Sequence, residues 1–306
     1  MTTAQRTPRF IAAGEALTDL IREEEKIWVA RAGGAPWNVA RVLARLGIPS
    51  AFAGSVSRDA FGEELAALSR DAGLDIRFLQ QYDKPPLLAI VQELSPPNYF
   101  FLGVDSADLA FNPAALPQDW LRSVEWMHCG GISLTREPLS SRLIDLLQAA
   151  KAAGAHISYD PNFRNLMTAR YDATLARVAG LADVIKVSDE DIAGLFRTDD
   201  RQLAMAKLKS LNPSAAILLT LGAQGAELHA QGQISRQASV QVKVADTVGA
   251  GDASMGGLLF SLMTHRASDW RTHLRWAVAA GCAACMQSGA VPPPLPTIES
   301  LLATMQ

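Results

Sequence analysis

The sequence predicts an α/β fold in which helices cover both faces of a mostly parallel central sheet and a small β-sheet forms a lid. Short, continuously apolar strands alternate with helical periods through most of the chain, and Ala215–Thr220 is the most apolar of them. Near the start, short strands flanked by glycines surround a charged turn, which does not fit that alternation. We therefore predict one domain over residues 1–306, with lid segments inserted at about 15–32 and 80–108.

The elements follow in order along the chain. Strands are predicted at Phe10–Ala13, Ala16–Ile21, Ile27–Ala30, Leu87–Val91, Tyr99–Leu102, His156–Tyr159, Ala182–Val187 and Ala215–Thr220, with a charged turn at Arg22–Lys26 and another turn at Ser95–Asn98. Apolar spacing and terminal glycines predict helices from Pro36 to Gly47, around Phe61 to Gly73, around Leu143 to Gly154, over Asp189–Phe196 and over Asp252–Phe260.

Composition narrows the class of ligand. The chain of 306 residues carries a formal net charge of -3, and its 28 basic residues are scattered rather than clustered into a stripe for nucleic acid. No stretch approaches the roughly 20 apolar residues that span a bilayer. Three cysteines, an odd number, indicate a reducing compartment. We expect a cytoplasmic protein that handles a small molecule and binds neither nucleic acid nor membrane.

Cys282 and Cys285 form a Cys-x-x-Cys pair late in a run of small residues typical of a packed helix. No second pair completes a zinc site, and a redox motif would open a helix instead. The five histidines show no metal-ligand spacing either. We interpret the two cysteines as buried helix residues that act as small hydrophobes.

In parallel sheets, ligands bind beyond the carboxyl ends of the strands. The loops that follow the predicted strands are therefore the places to search for chemistry. These loops are residues 14–19, 160–164, 188–191, 222–225 and 246–252.

The loop from Asp246 to Asp252 carries the sharpest signal. Gly249 and Gly251 allow a tight turn before a helix, whose first N–H groups and positive dipole end suit a phosphate. Asp252 would then face the attacking hydroxyl and accept its proton late, with a pKa that we do not expect to be high. The competing interpretation makes Asp252 an ordinary helix N-cap, worth roughly 1 kcal/mol.

Two other phosphate motifs are excluded. No segment reads GxxxxGK[ST], so the chain has no P-loop of that kind. A dinucleotide fingerprint would need a glycine where Ser254 stands, and would lie in the first βα unit rather than near the C-terminus.

Asp246–Gly257 resembles the signature of the ribokinase/PfkB family of carbohydrate kinases. The segment Gly33–Ala40 resembles a second signature of the same family, and weaker matches lie between the two segments. These matches are Asp160–Arg164, Lys186–Ser188 and Thr220–Gly225, with family-like residues Gly289–Ala290 and Leu295–Thr297 at the end. The resemblance covers essentially the whole chain and implies a ribokinase-like three-layer fold.

The resemblance implies ATP-dependent phosphorylation of a sugar hydroxymethyl group, with Mg²⁺ on the phosphates. Asp252 would be the base, and amides of Gly249, Ala250, Gly251 and Asp252 the anion hole. Sugar would be bound by Asp19, Gly33, Gly34 and Asn38, and Arg164 would meet a phosphate or an acidic substrate group. The nucleotide would be bound by Asn162, Lys186, Ser188, Thr220, Gly222 and Gly225.

The metal residues implied by the resemblance are less well matched. The family's Asn-x-x-Glu is Ser188-x-x-Asp191 here, with two shorter side chains, so Asp191 would reach Mg²⁺ through water. Asp246 and the Val248 carbonyl match a monovalent-cation site in some relatives, which implies activation by K⁺.

The sugar stays open at this stage. The run Gly14–Leu20 resembles the fructokinase and 2-keto-3-deoxygluconate kinase branch, and we rank fructose first, then 2-keto-3-deoxygluconate and nucleoside-like or ribose-type sugars. Gly103 stands where relatives often carry Arg, and Val278 where they often carry Asn, which weakens fructose. A sugar-binding sensor without turnover and a dehydrogenase are the alternatives from other classes. Exposed edges of the lid strands allow a homodimer.

Overall fold

The computed structural model describes residues 7–94 and 97–305. Across these residues the chain forms thirteen β-strands and nine α-helices. The strands are β1 (Phe10–Ala13), β2 (Leu17–Glu24), β3 (Ile27–Gly33), β4 (Ser50–Ser57), β5 (Leu79–Tyr82), β6 (Leu88–Leu94), β7 (Pro97–Leu102), β8 (Trp126–Gly130), β9 (His156–Asp160), β10 (Val184–Ser188), β11 (Ala216–Thr220), β12 (Ala226–Ala230) and β13 (Gln233–Gln237). The helices are α1 (Ala35–Arg45), α2 (Ala60–Asp71), α3 (Leu139–Ala152), α4 (Asp172–Leu181), α5 (Asp189–Phe196), α6 (Arg201–Leu211), α7 (Ala250–Thr264), α8 (Trp270–Ala284) and α9 (Leu295–Thr304).

The large sheet has the strand order β13-β12-β11-β10-β9-β8-β1-β4-β5. The strands from β11 to β5 run parallel, whereas β12 and β13 are antiparallel at one edge. An apolar cluster covers each face, one with α1, α7 and α8 and the other with α3, α4, α5 and α6. The predicted three-layer α/β fold is thereby confirmed, and the strand order turns at β1, where such sheets bind ligands.

The small sheet has the order β3-β2-β6-β7. Its strands leave the large sheet after β1 and after β5, so both pieces arise at the same carboxyl edge. On the inner face, Tyr99 and Phe101 stack at 6.4 Å between ring centroids and pack with Leu17 and Ala89. Since side chains alternate along a strand, Phe100 and its neighbours on the same face point away from the large sheet.

Most predicted elements are confirmed, with three corrections. The charged residues Arg22–Glu24 belong to β2, because β2 and β3 stay paired almost to the turn, which is only Glu25–Lys26. Of the turn predicted at Ser95–Asn98, Pro97 and Asn98 lie in β7, and residues 95–96 lie outside the described residues. Helix α7 starts at Ala250, two residues earlier than predicted.

Strands β4, β5, β8, β12 and β13 were not predicted. β4 is completely buried yet consists largely of Ser, Ala and Gly, so it lacks the bulky apolar run that signals a core strand. In the described part of the chain, no helix is long and apolar enough to cross a membrane.

Candidate active site

A cavity of about 860 Å³ lies at the carboxyl ends of β10 and β11, between their loops and the facing ends of α7 and α8. Ten of the residues predicted from the sequence line it. These are Asn162, Arg164, Lys186, Ser188, Asp191, Thr220, Gly222, Gly225, Ala250 and Gly251. Asp19, Gly33, Gly34, Asn38 and Asp252 do not line this cavity, nor do Asp246, Val248 and Gly249.

The start of α7 forms one wall of the cavity. Gly249 is the N-cap with φ 78°, and a Cβ there would lie 2.9 Å from the Cβ of Ala290, so only glycine fits without strain. The first N–H groups of a helix have no carbonyl partner within it. The amide of Ala250 donates instead to the Thr247 carbonyl at 3.2 Å, which leaves those of Gly251 and Asp252 best placed for an anion.

Asp252 is the third residue of α7 and not its cap, so the N-cap interpretation is wrong. One of its carboxylate oxygens accepts a hydrogen bond from the Asn38 amide at 2.8 Å. Burial raises the pKa of Asp252 to about 7, although the Asn38 hydrogen bond opposes the rise. The expectation that its pKa is not high was wrong, because it took no account of desolvation beneath the surrounding loops.

Lys186 is a buried ammonium beneath the first turn of α7. Its Nζ lies 2.9 Å from an Asp160 oxygen and 3.8 Å from an Asp191 oxygen. Burial alone would lower the pKa of Lys186, but these two carboxylates raise it, so the side chain stays charged. A Cβ on Gly251 would sit 2.9 Å from Nζ, and glycine therefore lets the helix approach this charge. Asp160 was not among the predicted site residues.

The loop after β9 aims Arg164 at the mouth of the site. Its Nη1 donates to Asn162 and to the Phe163 carbonyl at 2.7–3.3 Å, and its guanidinium lies 5.1 Å from the Tyr99 ring centroid. Asn162 adopts a left-handed φ of 47°, a conformation that asparagine tolerates well. Among the described residues, no carboxylate lies within 4 Å of the Arg164 guanidinium, and Arg164 lines the cavity.

Asp19 lies on β2 on the inner face of the small sheet. A Cβ at Gly33, on the neighbouring strand, would collide with its carboxylate, and Gly34 has φ 116° where the chain enters α1. Burial raises the pKa of Asp19 to about 6, partly offset by Arg164. Asn38 follows on the first turns of α1, with only 7% of its surface exposed. Of these residues, Asn38 contacts Asp252 directly, and Arg164 acts on the pKa of both Asp19 and Asp252.

The two carboxylates predicted to bind metal ions, those of Asp191 and Asp246, already accept hydrogen bonds from backbone amides. Asp191 accepts hydrogen bonds from the amides of Ser188 and Phe163, both at 2.8 Å, and closes a capping box with Ser188. Asp246 accepts from the amides of Thr247, Val248 and Gly289. In the part of the chain that the structure describes, no three His, Cys, Asp or Glu side chains group as a metal site.

The two neighbouring cysteines are in a different environment from the one predicted. Cys282 lies in α8 and Cys285 directly after it, but both are partly exposed and line the cavity. Burial nevertheless raises the pKa of both thiols. The third cysteine, Cys129, is completely buried in β8.

Known proteins resemble this chain over nearly its whole length. The model of the pfkB family carbohydrate kinases matches residues 9–298. Fructokinase of Vibrio alginolyticus is 34% identical over 303 residues, 94% of this chain and 96% of the relative. Fructokinase from Xylella fastidiosa with bound ATP superposes with a TM-score of 0.86 at 27% identity, covering 97% and 98% of the two chains. Fructokinase from Vibrio cholerae with fructose, ADP and calcium gives 0.83 at 29%, covering 97% and 99%.

Proposed function

The chain belongs to the pfkB family of carbohydrate kinases, and on that basis we propose that it transfers the γ-phosphoryl group of ATP to a hydroxymethyl group of fructose. As a family member it is a phosphotransferase acting on a sugar alcohol group. The observation that carries the proposal is the placement of Asp252. This carboxylate lies between a polar pocket and helix-terminal amides that open into a cavity of nucleotide size.

In the proposed reaction, Asp252 accepts the proton of the sugar hydroxyl while that oxygen bonds to phosphorus and the bond to the ADP oxygen breaks. The free amides of Gly251 and Asp252 stabilise charge on the transferring group. The Lys186 ammonium adds positive charge beneath the same turn. Asp19 and Asn38 bind sugar hydroxyls, and a buried carboxylate or amide of this kind discriminates strongly against analogues that lack them.

ATP would occupy the cavity, with Thr220, Gly222 and Gly225 beside the nucleotide and Asn162 and Ser188 near its phosphates. Mg²⁺ bound to ATP would neutralise phosphate charge. The residues present fit a metal held mainly by phosphates and water, because Asp191 already accepts two amides. The Asp246 carboxylate likewise accepts a backbone amide, that of Gly289, and so ties the 246–248 loop to that residue. K⁺ would therefore be bound by the remaining lone pairs of the Asp246 carboxylate oxygens and by the Val248 carbonyl.

One observation favours a second substrate, 2-keto-3-deoxygluconate. Arg164 has free donors at the mouth and no carboxylate partner among the described residues, so it suits an acidic substrate group. If so, Arg164→Met should lower kcat/KM for the keto-deoxy acid at least tenfold more than for fructose. An equal loss for both substrates would instead assign Arg164 to the transferring phosphate.

The experiment that tests the function is an ADP-release assay with Mg²⁺ and K⁺ over fructose, 2-keto-3-deoxygluconate, ribose and nucleosides. We expect fructose to give the highest kcat/KM. Sugar binding in calorimetry without ADP release from any sugar would identify a sensor and overturn the kinase assignment.

We further propose that the small sheet acts as a lid and that its outer face joins two copies of the chain. Trp28, Phe100 and Leu102 on that face are 43%, 46% and 51% exposed, although a solvated sheet face is normally polar. A self-complementary apolar face is typical of a two-fold dimer. Light scattering should give twice the chain mass, and Phe100→Asp with Leu102→Asp should give monomers. A wild-type monomer at micromolar concentration would contradict this arrangement.

A further inference from the structure

Asn38 links the two halves of the site through a single hydrogen bond. It lies on α1, 214 residues before Asp252, and its Nδ2 donates to the Asp252 Oδ2 at 2.8 Å. An ionised carboxylate can only accept hydrogen bonds, which fixes the NH₂ end of the amide toward it. The other end, Oδ1, is buried and has no hydrogen-bond partner among the described residues.

The groups around Asp252 act on its pKa in opposite directions. Burial and the neighbouring Asp160 carboxylate on β9 favour the protonated acid. The Lys186 ammonium on β10 and the Arg164 guanidinium favour the carboxylate, but Lys186 is already paired with Asp160. From α1, Asn38 is the group that hydrogen-bonds Asp252 directly and stabilises its charged form.

We infer that Asn38 is a positioning residue whose amide keeps Asp252 ionised and turned toward the acceptor hydroxyl, and thereby sets the lower pH limit of the reaction. This inference rests on the proposed kinase function. Asn38 itself takes no proton; the hydroxyl proton goes to Asp252, whose charge the amide has stabilised beforehand. Its effect should therefore be pH-dependent, unlike that of a residue which merely supports the fold.

The packing of α1 on α7 positions the Asn38 amide beside Asp252. A Cβ on Gly256 would lie well within van der Waals distance of Val42, so the glycine lets the two helices approach closely one turn after the Asn38–Asp252 contact. Trp37, next to Asn38, is held from the other side by its indole N–H, which donates to Ser69 at 2.8 Å. The amide is thus placed by rigid elements.

The test compares the pH profiles of kcat in wild type, Asn38→Leu and Asn38→Asp. Leucine keeps the volume and removes the donor, and a hydrogen bond to a charged group is worth about 1.5–3 kcal/mol. We expect the acidic limb to move up by about one to two pH units in Asn38→Leu, with kcat at high pH recovering to within about tenfold of wild type. Asn38→Asp, which adds a like charge, should move the limb further.

Ser69→Ala is the matched control, since it loosens the seating of α1 without contacting Asp252. It should lower thermal stability and leave the limb where it is. A uniform loss of kcat at every pH in Asn38→Leu, with the limb unmoved, would overturn the inference.

A direct titration separates this inference from the proposed function. Carbon-13 NMR of the aspartate carboxyl groups, with Asp252→Asn for assignment, reports the pKa of Asp252 without any substrate. It should rise in Asn38→Leu even if no sugar is phosphorylated. An unchanged Asp252 titration in folded Asn38→Leu would reject the role of Asn38 and leave the kinase assignment standing.

Discussion

Four aspartates around the α7 N-terminus fall into two pairs that differ in the hydrogen bonds their carboxylates accept. On the polar side next to the small sheet, Asp19 has no hydrogen-bonding partner among the described residues, and Asp252 has one side-chain amide. Asp191, which lines the cavity, accepts hydrogen bonds from two backbone amides, and Asp246, in the loop before α7, accepts from three. Asp252 and Asp191 lie in the first turns of α7 and α5, Asp19 lies in β2, and Asp246 lies in the loop before α7.

The difference appears in their acidity. Burial raises the pKa of Asp19 to about 6 and of Asp252 to about 7. Burial would also raise the pKa of Asp246, but its amide hydrogen bonds lower it overall. In the proposed reaction, the two carboxylates without backbone hydrogen bonds, Asp19 and Asp252, would meet the sugar hydroxyls, whereas Asp191 and Asp246 hold backbone amides and shape loops.

The largest effect should come from Asp252→Ala. Loss of the proton acceptor should cut turnover by roughly 10²-fold or more while sugar affinity, measured by calorimetry, changes little. Steady-state rates at saturating ATP and sugar make the measurement. Turnover equal to wild type would remove the base role and with it the contrast between the two sides.

Asp19→Asn should chiefly weaken sugar binding. Replacing a buried charged acceptor costs about 1–3 kcal/mol, so KM for the sugar should rise roughly 10–100-fold with a smaller change in kcat. The KM for ATP serves as the internal control and should stay within about threefold. A rise in KM for ATP instead would place Asp19 on the nucleotide side.

Asp191→Ala should act on stability rather than chemistry. Loss of its capping hydrogen bonds should lower the free energy of unfolding by about 1–2 kcal/mol, measured in urea, with kcat reduced less than tenfold. A hundredfold loss of kcat together with an altered Mg²⁺ dependence would show that Asp191 acts on the metal, and the contrast would then fail.

The smallest expected effect is on the pH dependence of the free energy of unfolding. The folded pKa of Asp252, about 7, lies above its ordinary value of 3.8, so its stabilising contribution is complete below pH 4 and is lost as pH rises through 7. Without ligand, the free energy of unfolding should fall by about 1 kcal/mol more in wild type than in Asp252→Asn between pH 6 and 7. Parallel curves for the two proteins would mean that Asp252 titrates normally.

Sequence patterns predict those elements of the fold whose signals lie in a few consecutive residues. The apolar run of β11 and the glycine before α7 each depend on a few neighbouring residues. Strands such as β4, built from small side chains, and β13, largely exposed, carry no such pattern and depend on pairing with distant strands.

The candidate site follows the same division. The positions of Gly249 and Asp252 at the start of a helix could be predicted, since the order of strands and helices places that helix start at one sheet edge. The Asn38–Asp252 hydrogen bond and the loop-shaping role of Asp191 could not, because they depend on how α1 meets α7 and how the 160–164 loop folds. The expectation that the pKa of Asp252 is not high was wrong for the same reason, because its burial depends on the surrounding tertiary structure.

The cysteines in the cavity wall give the molecule a chemical reporter. Cys282 and Cys285 border the space that a nucleotide would fill, whereas Cys129 is sealed in the core. Because burial raises the pKa of each of the two wall thiols, we expect them to alkylate slowly at neutral pH, and an occupant that covers them should slow the reaction further. The rate of thiol labelling would therefore report the fraction of molecules whose cavity is empty, with the buried Cys129 as an unreactive reference.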